Sequence, residues 1–184
     1  MSRFHQVNDP TGNPRLGALY KEIVDHGLGG DTPINWFTAQ SARPDILATT
    51  WGMAKGLLLQ GVLPPTVKQM ISMTIAMQNH CRYCVVAHSN ALESMGVPTE
   101  VIQNCANDPE LAQVPPPQRA ILKFGLKTAQ SPRSVTDADL QALRDHGLTD
   151  GEIMEVVMVA ACSNFLNTWA EVSGILVDGE ERSS

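Results

Sequence analysis

The stretch from Thr66 to Gln78 constrains the fold of this chain more than any other. Its side chains Val67, Met70, Ile71, Met73, Ile75 and Met77 leave almost no polar face around a helix. A helix that is apolar on nearly all sides must be surrounded by other elements. The rest of the chain offers helices for that purpose. No segment alternates apolar and polar residues over five or more positions with β-branched enrichment, so strands are not expected. Asn13-Pro14 reads as an N-cap and first-turn proline, opening a helix that Gly27 closes near residue 26. A short helix is expected at about Asn35 to Gln40, anchored by Trp36 and Phe37. Pro44 opens a longer one to about Gln60, with Leu47, Trp51, Ala54 and Leu58 at helical spacing and Gly61 ending it. Asn79 reads as the N-cap of a helix over His80 to Met95, stopped by Gly96. Helices then follow from Pro98 to about Ala106, Pro117 to about Gln130, Thr136 to about Asp145 and Gly151 to about Ile175. The expectation is an all-α bundle of about eight helices joined by Pro- and Gly-marked loops.

A chain of 184 residues fits a single domain, taken here as residues 1–184, and buries roughly 70% of its unfolded surface without help from disulfides or zinc. A weak internal repeat pairs residues 91–102 with 142–153 and the helix at 67–78 with 153–164. It suggests a duplicated helical unit, with the proline-rich stretch from Ala112 to Pro117 as its seam. The net charge of −6 argues against nucleic acid or an anionic membrane as partner. Met1 to Asn13 is polar and lacks the apolar core of a signal peptide, and no apolar run approaches the ~20 residues of a membrane span. A soluble, cytoplasmic protein is expected. Self-association is expected too, because the helices at 67–78 and 153–165 carry too little polar face for a small monomer.

The chemistry concentrates in Cys81-Arg-Tyr-Cys84-Val-Val-Ala-His88. Positions i, i+3 and i+7 of a helix share a face, which would turn both thiols and the imidazole the same way. With Asn79 as N-cap, Cys81 would be the second helical residue, and the helix dipole would favour both thiolates. His88, four residues beyond Cys84, is placed to take its proton, so Cys84 reads as the attacking thiolate and Cys81 as the thiol that resolves it. The same face continues into Val85, Leu92 and Met95, which suits an apolar oxidant. A zinc reading competes, but Cys81, Cys84 and His88 give at most three ligands, and His80 points poorly for a fourth. No metal is therefore assigned. Cys105 and Cys162 stand alone and read as core residues.

With Met70 to Asn79 leading into this motif, the sequence resembles the carboxymuconolactone decarboxylase / AhpD-like superfamily. It is most similar to alkylhydroperoxidase-type members, which carry C-x-x-C-x-x-x-H after a buried helix. The stretches Val135-Thr-Asp-Ala-Asp-Leu140, Gly147-Leu-Thr-Asp150 and Ser163-Asn-Phe-Leu-Asn167 resemble peroxidase-related members, so the likeness spans about residues 35–177 between polar tails. The resemblance implies an AhpD-like helical fold, usually oligomeric, with the second cysteine peroxidatic and the first resolving. On this chain those are Cys84 and Cys81, with His88 in the proton relay. It further implies an antioxidant enzyme that reduces organic hydroperoxides through a Cys81–Cys84 disulfide, needs no other cofactor, and is recharged by an external dithiol or lipoyl-type donor. One position departs from the pattern. The residue twelve before the first cysteine, a glutamate in the best-studied members, is Gln69 here, and an amide can orient a partner but cannot carry a proton. Tyr83 stands between the cysteines where some members have a histidine, and His80 lies just outside them. Gln69, Tyr83 and His80 are the supporting residues, and Glu93 and Glu155 are the acids that would replace the missing carboxylate, although surface or ion-pair roles suit them better. Gln69 also motivates a second reading, a redox sensor or oligomeric interaction protein with a slow dithiol switch. A lactone decarboxylase ranks below both, since that reaction has no use for C-x-x-C.

Overall fold

Proline and glycine punctuate the chain as the sequence suggests. The computed structural model describes residues 2–110 and 112–180, and among these it contains nine α-helices and one isolated bridge, Gly29 with Pro33, as its only strand-like pairing. The chain divides into two compact units, one formed by residues up to Lys55 with those from Trp169 onward, the other by Gly56–Thr168.

In the first unit, α1 (Pro14–Asp25) starts with the Asn13 side chain accepting from Leu16 N at 3.1 Å, the N-cap bond expected of that residue type. A single turn, α2 (Asn35–Thr38), and α3 (Pro44–Ala54) follow, and α3 runs on into a wider π-helical turn, Lys55–Leu59. Phe37 sits edge-on to Trp36 and Trp51, with ring centroids 5.0 and 5.6 Å apart, so the two tryptophans and the phenylalanine form the unit's aromatic centre. The described residues near both ends of the chain are hydrogen-bonded into the unit. Tyr20 Oη donates to Val7 O at 2.6 Å, Val7 N donates to Ser41 Oγ at 2.8 Å, and Arg3 N donates to Ser173 O at 2.7 Å. Near the other end, Asp178 accepts from Asn35 N at 2.7 Å, supplying α2 with the cap its own N-cap residue, Ile34, cannot provide.

The second unit is built around α4 (Pro65–Gln78), buried without interruption from Val67 to Ala76. It packs against α5 (Arg82–Ser94), α6 (Thr99–Asn107) and α7 (Pro116–Gln130), while α8 (Asp137–Asp145) lies on α7. The last helix, α9 (Asp150–Ser173), contributes Val156, Val159 and Ala160 to the same core as Ile71, Met73 and Leu122. At Gly125 a Cβ would lie 3.2 Å from Ile71 Cγ2, so a side chain there would crowd α4. By length and composition α9 alone among the described helices could cross a membrane, and half of its most apolar window is buried in the fold.

The residues of the apparent repeat adopt one local design. At the end of α5, Val97 N bonds Leu92 O at 3.0 Å around left-handed Gly96; at the end of α8, Leu148 N bonds Leu143 O at 3.2 Å around Gly147. Both are Schellman endings with a buried leucine. α1 ends the same way, with Leu28 N on Ile23 O at 3.3 Å, so this ending is not confined to the two segments.

Candidate active site

The end of α4 delivers the motif, in a way that corrects the sequence reading. Asn79 is the C-cap of α4, not the N-cap of the next helix. His80 N bonds Met77 O at 3.1 Å and Cys81 N bonds Ala76 O at 2.9 Å, a Schellman ending in which His80 takes the left-handed position at φ 54°. Among the other described residues a positive φ belongs only to glycines; for a residue with a Cβ it costs roughly 1–2 kcal/mol. Cys81 is consequently not inside α5. It is the N-cap, extended at φ −81° and ψ 91°, and Cys84 is the third helical residue. N-cap and third-residue side chains face each other across the first turn, as in a capping box. The relation of the two thiols is therefore that of an N-cap to a third helical residue, not that of two residues inside one helix.

All four cysteines are buried thiols. Tyr83 is also buried, His80 is exposed, and Met95, expected to face inward, is 44% exposed as the C-cap of α5. Leu92 is fully buried as expected, and the buried Met73 of α4 accepts from Ser89 Oγ of α5 at 3.6 Å. Burial pushes the Cys162 thiol up to about 11 and raises that of Cys105, in keeping with inert core residues.

His88 and Gln69 meet directly: Nδ1 lies 2.6 Å from Oε1, and both side chains are more than nine-tenths buried. An amide oxygen only accepts, so Nδ1 carries the proton and Nε2 is left with its lone pair. Burial pushes the His88 pKa down to about 4, and a neutral amide does not offset this as a carboxylate would. The imidazole is therefore neutral at pH 7, oriented, and able to accept a proton at Nε2. Glu93 is exposed. Glu155 is committed elsewhere: it forms an ion pair with Lys68 and accepts from Val62 N and Leu63 N at 2.8 and 3.1 Å. Burial alone would raise its pKa, but Lys68 and the two backbone donors bring it below the ordinary carboxylate value. Neither acid is hydrogen-bonded to His88.

Two features escaped the sequence reading. Lys68, in the middle of an apolar helix, also donates to Gln60 O, so with Glu155 it pins the turn that leads into α4. Asn79, two residues before Cys81, donates to both Asn164 and Asn167 of α9 at 2.9 Å, and Asn164 donates to Ala129 O at 2.8 Å. The signals were a lone lysine among methionines and the paired asparagines of Ser163-Asn-Phe-Leu-Asn167. A surface cleft of about 380 Å³ near Lys123 and Lys127 lacks the motif residues, and its two lysines are paired with Glu110 and Asp139. Among the described residues no three His, Cys, Asp or Glu side chains converge as metal ligands.

Two buried thiols at the start of one helix, with a buried neutral imidazole a turn further on, define an all-helical dithiol protein. Residues 44–123 match the carboxymuconolactone decarboxylase family, and this match, with the structural likenesses that follow, supports a place in the carboxymuconolactone decarboxylase / AhpD-like superfamily. It is similar to a peroxidase-related protein from Ralstonia eutropha JMP134 with an alkylhydroperoxidase AhpD core, at 28% identity over 97% of this chain and 93% of that one, with a TM-score of 0.87. A peroxidase-related protein from Silicibacter sp. TM1040 shares the fold at 24% identity, 97% and 96% coverage and a TM-score of 0.83. So does the debrominase Bmp8, solved as a cysteine-to-alanine variant in complex with 2,3,4-tribromopyrrole, at 18% identity, 97% and 95% coverage and a TM-score of 0.78. No curated protein sequence matched the chain. The family is enzymatic, with peroxidase-related and decarboxylase-type activities.

Proposed function

We propose that this chain is a thiol-dependent peroxidase that reduces organic hydroperoxides. The observation that carries the reading is the Gln69–His88 hydrogen bond beside the N-cap dithiol, because it leaves a proton-accepting Nε2 one helical turn from Cys84. Cys84, at the third helical position, has the positive end of the α5 dipole to favour its thiolate. That thiolate attacks the terminal peroxide oxygen; the O–O bond breaks, the alcohol leaves with a proton, and Cys84 becomes a sulfenic acid. Cys81 then attacks the sulfenic sulfur, water leaves, and the Cys81–Cys84 disulfide forms. An external dithiol, of lipoyl type in this reading, reduces it by exchange. Exposed His80 and buried Tyr83 flank the thiols as supporting residues.

Gln69 sets the pace. Moving a proton from an ordinary thiol near 8.5 to an imidazole near 4 is uphill by roughly 6 kcal/mol, of which the helix dipole, worth up to about 2 kcal/mol, offsets only a part. Turnover of cumene hydroperoxide with dihydrolipoamide should be slow but measurable and should disappear in Cys84→Ser. Cys81→Ser should still form a sulfenic acid that dimedone traps. Wild-type turnover in Cys84→Ser would refute the assignment. A Cys81–Cys84 disulfide that forms without turnover would favour the redox-switch reading.

A further inference from the structure

Only His80 separates the C-cap of α4, Asn79, from Cys81, and His80 holds a left-handed φ of 54°. Where the Cys81 Cβ sits over the first turn of α5 depends on the Cys81 ψ of 91°, because rotation about that bond swings the Cβ around the helix end. As the N-cap, Cys81 has its angle set by the chain that arrives from α4. That chain is tied down at two successive residues. Gln78 Oε1 accepts from Gln130 of α7 at 3.4 Å. Asn79 Nδ2 donates to Asn164 Oδ1 and Asn167 Oδ1, each at 2.9 Å, and these stand three residues apart on one face of α9. Asn164 Nδ2 donates in turn at 2.8 Å to Ala129 O, in the last turn of α7, where carbonyls lack helical partners. Asn167 is the informative member. It is only 2% exposed, and its Nδ2 has no hydrogen-bond partner among the described residues. A buried donor left unpaired opposes folding, so an apolar side chain would serve packing better there. What the asparagine supplies is the acceptor that faces Asn79.

We propose that Asn79, clamped by Asn164 and Asn167, is a positioning residue for Cys81: it holds the left-handed junction that keeps this thiol in place over the first turn of α5. The effect passes through the backbone of His80. Without the clamp, the penalty of a left-handed histidine favours other conformations at that residue, and Cys81 samples orientations from which no disulfide closes. The clamp therefore raises the effective concentration of one thiol at the other and shifts the pair toward its disulfide. Cys84, inside α5, and the Gln69–His88 bond stand apart from it. The consequence for turnover rests on the peroxidase reading: without the clamp, the sulfenic acid on Cys84 forms at its usual rate and waits longer for Cys81. The consequence for the dithiol equilibrium does not depend on that reading.

The primary measurement is the equilibrium with glutathione, in which Cys81 and Cys84 give two electrons and two protons to one glutathione disulfide. The products are the Cys81–Cys84 disulfide and two glutathiones. Protein that is quenched, alkylated and digested reports the oxidised fraction of this pair by mass spectrometry. Asn79→Ala should lower the constant for disulfide formation about tenfold, which raises the reduction potential by about 30 mV. Asn167→Leu should lower it too without lowering the urea midpoint, a split that a purely structural role would not give, and it carries the test should Asn79→Ala fail to fold. His80→Gly takes the left-handed conformation without penalty, so adding it to Asn79→Ala should restore most of the loss. With cumene hydroperoxide, Asn79→Ala should oxidise Cys84 at the wild-type rate while dimedone captures several-fold more sulfenic acid. A glutathione constant unchanged or raised in Asn79→Ala and Asn167→Leu, or no recovery with His80→Gly, would overturn the proposal. A lowered constant in a protein that hydroperoxide does not oxidise would support the clamp and refute the peroxidase reading; steady turnover with an unaltered constant would do the reverse.

Discussion

Burial of His88 against the neutral amide of Gln69 determines the protonation of the imidazole, and two measurable consequences follow. With a folded pKa of about 4 against about 6.5 unfolded, His88 is neutral in the fold across a range where the unfolded chain binds a proton. This contribution to stability is intact above pH 6.5 and falls by roughly 3 kcal/mol as the pH drops toward 4. Urea unfolding at pH 7.5 and 4.5 should show that extra loss in the wild type and not in His88→Gln; equal losses would mean that His88 is protonated in the fold. Gln69→Glu should raise the His88 pKa, because a carboxylate 2.6 Å from Nδ1 favours the imidazolium. Peroxide-dependent oxidation of Cys84 at pH 7 should then quicken several-fold, read by stopped flow, because a base whose pKa lies nearer the working pH is the more efficient one. The identities of Cys81, Cys84, His88 and Gln69 were legible in the chain, and so was the odd position among them. What was not legible is that His80 bends left-handed. Nothing about a histidine announces that conformation, and it decides whether Cys81 lies within α5 or caps it.

Helices could be read from the sequence wherever a proline opens them or a glycine closes them, as at Pro44, Gly96 and Gly147. The weaker boundary was the short junction between α4 and α5, where Asn79 has the side chain of a good N-cap but serves the preceding helix. Asparagine suits both ends of a helix, so the residue type alone does not choose. Likewise, the sequence leaves Glu155 free to serve as a relay acid, and only the packing of α9 beside Lys68 shows what it holds. That pair, with Gln60 O and the N–H groups of Val62 and Leu63, fastens the turn before α4. Glu155→Gln keeps an acceptor for the backbone but leaves Lys68 as an unpaired buried cation, which should cost about 3–5 kcal/mol. The urea midpoint should drop accordingly, and exchange should quicken at the Val62 and Leu63 amides. An unchanged midpoint would mean that the ion pair contributes nothing net.

For the whole molecule, an all-helical fold was foreseeable from periodicity, whereas the involvement of both chain ends was not. Polar residues such as Gln6 and Asp178 look like solvated tails in sequence because their partners are remote: Thr38 lies 32 residues from Gln6, and Asn35 lies 143 from Asp178. Asp178→Ala should remove the cap on α2 and cost about 1 kcal/mol. Hydrogen exchange should rise at the Phe37 and Thr38 amides, which donate to Ile34 O in that turn. If exchange there is unaltered, the C-terminal segment does not hold α2. The bond from Arg3 N to Ser173 O has a separate consequence for the order in which the chain could be written. Arg3 and Ser173 are joined within the first unit, and the described residues nearest both ends belong to that same unit, so a flexible linker from Glu180 to Ser2 would connect them inside it. New termini in the exposed turn at Pro132–Ser134 would give a circular permutant in which the first unit, now split between the beginning and end of the chain, is one uninterrupted segment.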